Sequence, residues 1–518
     1  MSYNRRDFLK QTGLAGITAP FLARMAGNRE SKELSGYYGA VTQKYYVDSE
    51  TGNDNNSGNS PGQAWKTLEK VNKKIFKPGD QILFKTATHY KGRLKLNGSG
   101  NNHAPIVVGM YGEGPKPIIH GQGRELEAVL LHNEHYWEIR DLEVTNTGPI
   151  RKPNRVGVHV VVENFGTARH IHLKNLTVRE VNGSLVKDTG GGAGIRCENR
   201  GFQKKTRFDG LRIEDCNVMR TDRDGITIYS DYTERDKWYP NYNVKISNNL
   251  LVDIGGDVIV PRGCDGTVIE HNKVDGGRTR CNDYAAGIWP WSCDNTTIQF
   301  NEVTGMSGTM DGMAFDSDWN CRNTLLQYNY SHGNPGGFLL IVSDGGKPGS
   351  VGNQNTVVRY NISQNDGHRI LYITGPCNGI RIYNNTIYSG EHIDAKALYP
   401  GGGNNGYADD TLFANNIFYA DGKVKWGYGG MSNLKFTHNV IYGNHEDAPD
   451  DPHAIWSEPG LVAPGTGRMH YGSLHGYKLK SESSCYKAGM PISDNGGRDI
   501  WEKSVPEGKP PTIGASAV

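Results

Sequence analysis

Between Ile246 and Leu340 the chain repeats one short pattern of apolar and polar positions. It reads Val268-Ile269-Glu270-His271-Asn272-Lys273-Val274, then Thr297-Ile298-Gln299-Phe300-Asn301-Glu302-Val303, then Leu325-Leu326-Gln327-Tyr328-Asn329-Tyr330-Ser331. Alternation and β-branched residues over so few positions predict strands and argue against helices. Looser copies put Asn249, Asn361, Asn385, Asn416 and Asn439 at the same place, and earlier ones put Leu142, Leu176 and Cys216 there. The interval runs from 23 residues (Asn249 to Asn272) to 40 (Leu176 to Cys216). A fixed phrase at such variable spacing predicts a solenoid whose coils carry inserted loops of different length.

A second strand lies between successive asparagines, as in Gly225-Ile226-Thr227-Ile228, Asp257-Val258-Ile259-Val260, Gly287-Ile288-Trp289, Gly312-Met313-Ala314-Phe315 and Gly337-Phe338-Leu339-Leu340. Two or three strands per coil leave too little sequence for crossover helices. The fold class is therefore all-β, a single-stranded parallel β-helix of about 10–12 coils. Asparagine tolerates left-handed backbone angles and bonds neighbouring main chain, so its amides are expected to form a ladder from coil to coil. Cys264, Cys293, Cys321 and Cys377 each lie eight residues before a ladder asparagine. They are expected in one column as free, buried thiols, because side chains stacked in parallel do not present the disulfide torsion.

The ends differ from the repeats. Residues 1–26, with Arg5-Arg6 ahead of a weakly apolar stretch, read as a twin-arginine export signal, which implies a periplasmic or secreted protein. That stretch is too short to span a bilayer. Residues 27–42 read as a linker, 43–445 as the β-helix with its amino-terminal cap, and 446–518 as a carboxy-terminal segment of the same domain that wraps back along it. The cap is a helix over 64–74 with Leu68, Val71 and Ile75 on its buried face, needed because the first coil exposes core and strand edge. The Asn/Asp loop over 51–58 leaves room for calcium but lacks the carboxylates of a strong site. No cofactor is required. A net charge of +2 without a basic stripe argues against nucleic acid, and a carbohydrate-binding monomer is expected.

The opening residues Tyr46 to Asp54, Trp65-Lys66-Thr67-Leu68, Pro78-Gly79-Asp80 and Pro105 to Gly112 resemble the start of exported right-handed β-helix carbohydrate-active proteins of the pectate-lyase-like superfamily. The segments 311–318, 327–332 and 336–341 are similar to the central coils of its glycoside hydrolases, and Tyr477 to Ala515 resembles its closing segment. The resemblance implies a right-handed helix and a carbohydrate substrate. It does not choose the reaction, because hydrolases, lyases and epimerases share the scaffold.

Acidic residues gather between Thr221 and Gly346: Asp222, Asp224, Asp231, Asp257, Asp265, Asp283, Asp311, Asp316, Asp318 and Asp344. Phe315 points inward by pattern, so Asp316 and Asp318 point outward. Aligning the second strands puts Asp316 one coil after Trp289 and one before Ile341, and Asp318 in column with Asp231, Gly263, Trp291 and Ser343. A glycosidase needs two carboxyls across the scissile bond, about 5 Å apart for retention and about 6.5–9.5 Å for inversion. Residues two apart on a strand lie roughly 6–7 Å apart and adjacent coils about 4.8 Å, so Asp316, Asp318, Asp311 and Asp283 can all supply such a pair. Asp316 with Asp318 or Asp311 is the favoured choice. Asp224 and Asp311 precede glycine, which also suits a turn. Trp289 and Trp291 offer faces for sugar rings, Trp319 packs there or under a loop, and Arg262 and Arg278 suit an acidic sugar or neutralise the cluster. His332 reads as a proton shuttle or a turn residue. Hydrolysis is the leading reading. The alternatives are β-elimination on a uronate polymer, with calcium at Asp222, Asp224 and Asp257 and Arg262 or Lys245 as base, and a non-catalytic glycan-binding solenoid.

Overall fold

The computed structural model describes residues 42–343, 350–403 and 405–517; the twin-arginine segment, nearly all of the linker and Asp344 lie outside the described residues. Each pairing between its extended strands is parallel, and successive strands of one sheet come from successive coils, as in Val268–Glu270 beside Thr297–Gln299 beside Leu325–Gln327. The chain is thus a right-handed parallel β-helix with three strand faces. The first face holds the strand before each ladder asparagine and the second the strand after it. The third holds the Gly225-, Gly287- and Gly337-type strands and positions the candidate site.

The ladder is continuous. Each side-chain amide from Asn249 to Asn416 donates to the Oδ1 of the next ladder asparagine at 2.9–3.0 Å, and Asn439 ends the series on Asp451 Oδ2 at 2.9 Å. Each Oδ1 also accepts the preceding asparagine's backbone N–H, as Asn301 does from Asn272 at 3.0 Å. The left-handed backbone, however, falls one residue earlier than expected, on Asn248, His271, Phe300, Tyr328, Tyr360, Asn384, Asn415 and His438. The ladder side chain turns inward to serve buried main chain, while the residue before it absorbs the corner, exposed at Asn248 and His271 but buried at Tyr328, Tyr360, Asn384 and Asn415. Among these corner residues the rings of His271, Phe300, Tyr328 and Tyr360 stack at 5.0–5.9 Å.

A second left-handed column, not anticipated, lies five residues upstream at Tyr136, His170, Gly210, Asn243, Gly266, Asn295, Asn323, Asn355, Gly379, Asp410 and Asn433. Its asparagines form an outer ladder, Asn355 to Asn323 to Asn295 to Asp265, at 2.7–3.1 Å. The two columns bracket each first-face strand. Asparagine, aspartate and glycine occupy the outer column in most coils because they bear positive φ at least cost.

Cys264, Cys293 and Cys321 stand on consecutive coils. Asn353 separates Cys321 from Cys377, and all eight cysteines are free and buried. The capping helix is shorter than expected, Leu68–Asn72, with the Thr67 hydroxyl accepting from Lys70 N. Leu68 and Val71 are buried, but Ile75 is 71% exposed and Phe76 takes its place in the core. The helical phase ends before Ile75, since the Asn72 amide is bonded to Arg93 O and Lys95 N. In the loop over 51–58 the Asp54 carboxylate takes Lys66 N, Thr67 N and the Thr67 hydroxyl, which gives that carboxylate a structural task. The carboxy-terminal residues lie back along the turns between the first two faces. Tyr471 Oη donates to Tyr328 O and Asn301 O, Lys273 Nζ to Met469 O, and Asn384 to Thr512 O.

Candidate active site

On the third face each strand presents two inward residues in succession before resuming alternation. Ile226, Ile259, Ile288, Phe315 and Leu339 share one inward column, and the residue before each, Gly225, Val258, Gly287, Ala314 or Phe338, also faces the core. A Cβ at Gly287 would stand 2.2 Å from Ala314 O and 3.1 Å from Val303, and one at Gly225 2.7 Å from Leu251. These glycines keep the faces in contact, so Asp224-Gly225 opens a strand and does not form a turn. Asp311, at φ +58 before Gly312 at φ +66, does turn.

With the inward column fixed, the outward ones follow. Thr227, Val260, Trp289, Asp316, Leu340 and Tyr372 form one, and Tyr229, Arg262, Trp291, Asp318, Val342 and Thr374 the other. Asp316 therefore neighbours Leu340 and not Ile341, while Tyr229, Arg262 and Val342 replace the expected Asp231, Gly263 and Ser343. The double inward step moves the outward positions one residue earlier at Arg262, Leu340 and Val342, and two earlier at Tyr229. Around Trp289 the regular strand gives way to isolated bridges, among them Ile259–Ile288, Ile288–Phe315 and Arg262–Trp291. Pro261 and Pro290, which lack an N–H, interrupt regular pairing there.

Three inserted loops, over 182–191, 276–286 and 305–312, wall this shelf. Lys187 N donates to Asp283 Oδ2 at 3.0 Å, joining the first two. Arg278, 9% exposed, donates to Asp283 O and Ser307 O, joining the second and third. Each loop also exposes an apolar side chain at the rim: Val186, Tyr284 and Met310.

The charges fall in two groups. In the first, Arg223 is fully buried and pairs with Asp257 and Asp283, both at 3.1 Å, and Lys187 Nζ reaches Asp257 at 3.1 Å. Asp257 also accepts from Ala286 N and Trp289 Nε1. Burial alone would raise its pKa, but Lys187, Arg223 and these donors hold it below the ordinary carboxylate value. Asp224, buried and close to that anion, is raised, and the Tyr229 hydroxyl donates to it at 3.2 Å. Asp283 and Arg278 thus brace the wall, while Asp224 belongs to the floor.

The second group is Asp311, Asp316 and Asp318. Asp316 is 3% exposed, and its Oδ1 is buried with no hydrogen-bond partner among the described residues. Burial, then Asp318 and Asp311, push it well above the ordinary range. Asp311 and Asp318 are partly open to solvent. Burial and the neighbouring Asp318 raise Asp311 to about 7. Burial raises Asp318 to about 6 against the pull of the Trp319 amide, Lys187 and Arg262. Arg262 lies over the rings of Tyr229, Trp289 and Trp291 at 4.3–5.9 Å, and Trp291 packs on Trp319 at 4.9 Å.

His332 stands apart from these groups. Its Nε2 lies 3.1 Å from Glu302 Oε1, its ring stacks on Tyr330, and it lines a separate cleft with Gln364, His368 and His392. It sits on the second face, which the alignment of third-face strands could not reveal. Conversely, Lys187 arrives on an inserted loop and so has no periodic signal. Arg223 was visible as the middle of Asp222-Arg223-Asp224, a charged triplet opening an apolar strand.

No family model matches the chain. A lacto-N-biosidase of Bifidobacterium longum is 28% identical over a 567-residue alignment that covers 87% of this chain and 34% of that protein. The chain therefore spans about a third of that curated relative's length. A 95-residue stretch, 18% of the chain, is 30% identical to an alpha-1,3-galactosidase A of Akkermansia muciniphila and covers 15% of it. The crystal structure of a GH136 lacto-N-biosidase from Eubacterium ramulus superposes with a TM-score of 0.58 at 26% identity, over 78% of this chain and 67% of that one. XylC in complex with xylose gives 0.52 at 11% identity over 92% and 98%, a likeness of fold. The chain is a right-handed parallel β-helix, and over most of its length its sequence and fold are similar to glycoside hydrolases that bear the name lacto-N-biosidase.

Proposed function

We propose that this chain is a glycoside hydrolase that cleaves oligosaccharides on the shelf of Asp311 and Asp318. The observation that carries the reading is that the shelf walled by the three inserted loops bears two solvent-reaching carboxyls whose environments set their proton affinities apart. Asp311, with the higher pKa, is the general acid that protonates the leaving oxygen, and Asp318 is the ionised carboxylate of the pair. Asp316 is too enclosed to touch a sugar. It is a positioning residue that stays protonated beside them, and Asp311 takes the acid's role. Trp289, Trp291 and the apolar rim supply faces for the rings, and Arg262 sets their orientation.

Elimination is less well supported. Of the two bases considered for it, Lys245 lies on the first face, ion-paired with Glu270 at 3.0 Å, and Arg262 lies over the rings of Tyr229, Trp289 and Trp291; the calcium ligands Asp224 and Asp257 are already taken up with Tyr229 and with Lys187 and Arg223.

Because relatives carry the name lacto-N-biosidase, a chromogenic lacto-N-bioside heads the substrate panel, followed by other oligosaccharides and uronate polymers. New reducing ends that disappear in Asp311→Asn and Asp318→Asn support the proposal. An absorbing unsaturated uronate, or full activity in both variants, overturns it. Export through the twin-arginine route belongs to the same proposal, and a reporter fused to residues 1–26 that fails to leave the cytoplasm, with or without Arg5-Arg6, would refute it.

A further inference from the structure

On the outward surface of the first face, Glu138, His170 and His172 converge from two adjacent coils. The register sets His172 beside Glu138, and His170 lies two residues before it on the same strand, Thr167–Lys174. His170 occupies the outer left-handed column, at φ +51, where nearby coils carry Gly210, Asn243 and Gly266. Strand pairing passes over it, linking Arg169 with Asp209 and Ile171 with Leu211. The bend brings its imidazole against that of His172, with ring centres 3.8 Å apart.

We infer that Glu138, His170 and His172 form a binding site for a divalent transition ion of the Zn2+ type, which ties the two coils together. His170 Nε2 lies 3.0 Å from Glu138 Oε1 and His172 Nδ1 lies 3.9 Å from the same oxygen. The ligand atoms of all three residues fall within 4.8 Å of one another. Donors bound at about 2.0–2.2 Å around a tetrahedral ion stand about 3.3 Å apart, so small side-chain rotations complete three corners. The fourth corner is open to solvent, because the three side chains keep 15–29% exposure. Two imidazoles and one carboxylate suit Zn2+, Co2+ or Ni2+. Ca2+, which takes six to eight oxygens, is not suited. The ligands come from two coils, so binding stabilises the fold by mass action.

The test uses the full chain after dialysis against a chelator. Zn2+ is titrated calorimetrically, Co2+ is followed by its visible absorption, and thermal melts are recorded with Zn2+ or Ca2+. Expected results are one Zn2+ per chain, ligand-field bands with Co2+, and a rise in Tm with Zn2+ that Ca2+ does not reproduce. His170→Asn places in this coil a residue that the same column already accepts at Asn243, so folding is preserved while the ligand is lost. That variant and Glu138→Gln should lose both the binding and the Tm shift. The inference is overturned if wild type binds no Zn2+, or if both variants bind it as wild type does; the three residues then form only a hydrogen-bonded cluster. The readouts do not depend on glycosidase activity.

Discussion

At the scale of single residues the carboxyls of the shelf make the sharpest predictions. Asp311→Asn and Asp318→Asn should each lower kcat by about 10²–10⁴-fold with the fold intact, checked by steady-state kinetics beside circular dichroism. In wild type, kcat/KM should peak between pH values of about 6 and 7, where Asp318 is ionised and Asp311 protonated; the two limbs belong to the pair. Asp316→Asn tests the buried carboxyl separately. A group whose folded pKa is raised binds its proton more tightly folded than unfolded, so its contribution is most favourable at low pH and erodes as pH rises above the ordinary value of 3.8. The variant should therefore melt a few degrees above wild type at pH 8 and level with it near pH 4. Equal melting temperatures at both pH values would remove Asp316 from the coupled cluster.

Among the strands and turns, order comes from residues that satisfy main chain across coils. Asn301 Oδ1 accepts from both the N–H and the amide of Asn272, and its own amide serves Ile269 O. Asn301→Ala would orphan several buried polar groups, each worth about 1–3 kcal/mol. A loss of about 3 kcal/mol or more in denaturant unfolding is expected. Gly287→Ala should cost about 1–3 kcal/mol, because its Cβ would press on Ala314 O and force the coil outward. It should also displace Trp289 from Asp316 and lower activity further than its stability loss explains. The ladder was legible because asparagine recurs in phase. The outer left-handed column was not, since Tyr136, His170, several Asn and Gly, and Asp410 share a backbone angle but no side-chain signature.

For the molecule as a whole, the carboxy-terminal segment is the element most separated in sequence from what it stabilises. Tyr471 is hydrogen-bonded at the turns of Asn301 and Tyr328, and Tyr477 is buried with its hydroxyl on Gln364. Ending the chain at residue 465 should expose the stacked corner rings and speed hydrogen exchange in coils 298–386 before coils 106–214. Uniform exchange across both regions would show that this segment stabilises nothing locally.

The sequence by itself determined the winding. Short alternating runs that end in asparagine have one economical solution, stacking in register, because buried amides and strand edges then satisfy one another. It also placed Asp311, Asp316 and Asp318 on one coil, next to that of Trp289. Only the tertiary structure decided which of them reach solvent, that Lys187 and Arg223 gather on Asp257 beside them, and that His332 lies on another face. Those facts depend on a shift of outward phase and on the paths of inserted loops, both set by packing between residues distant along the chain, for which no local pattern exists.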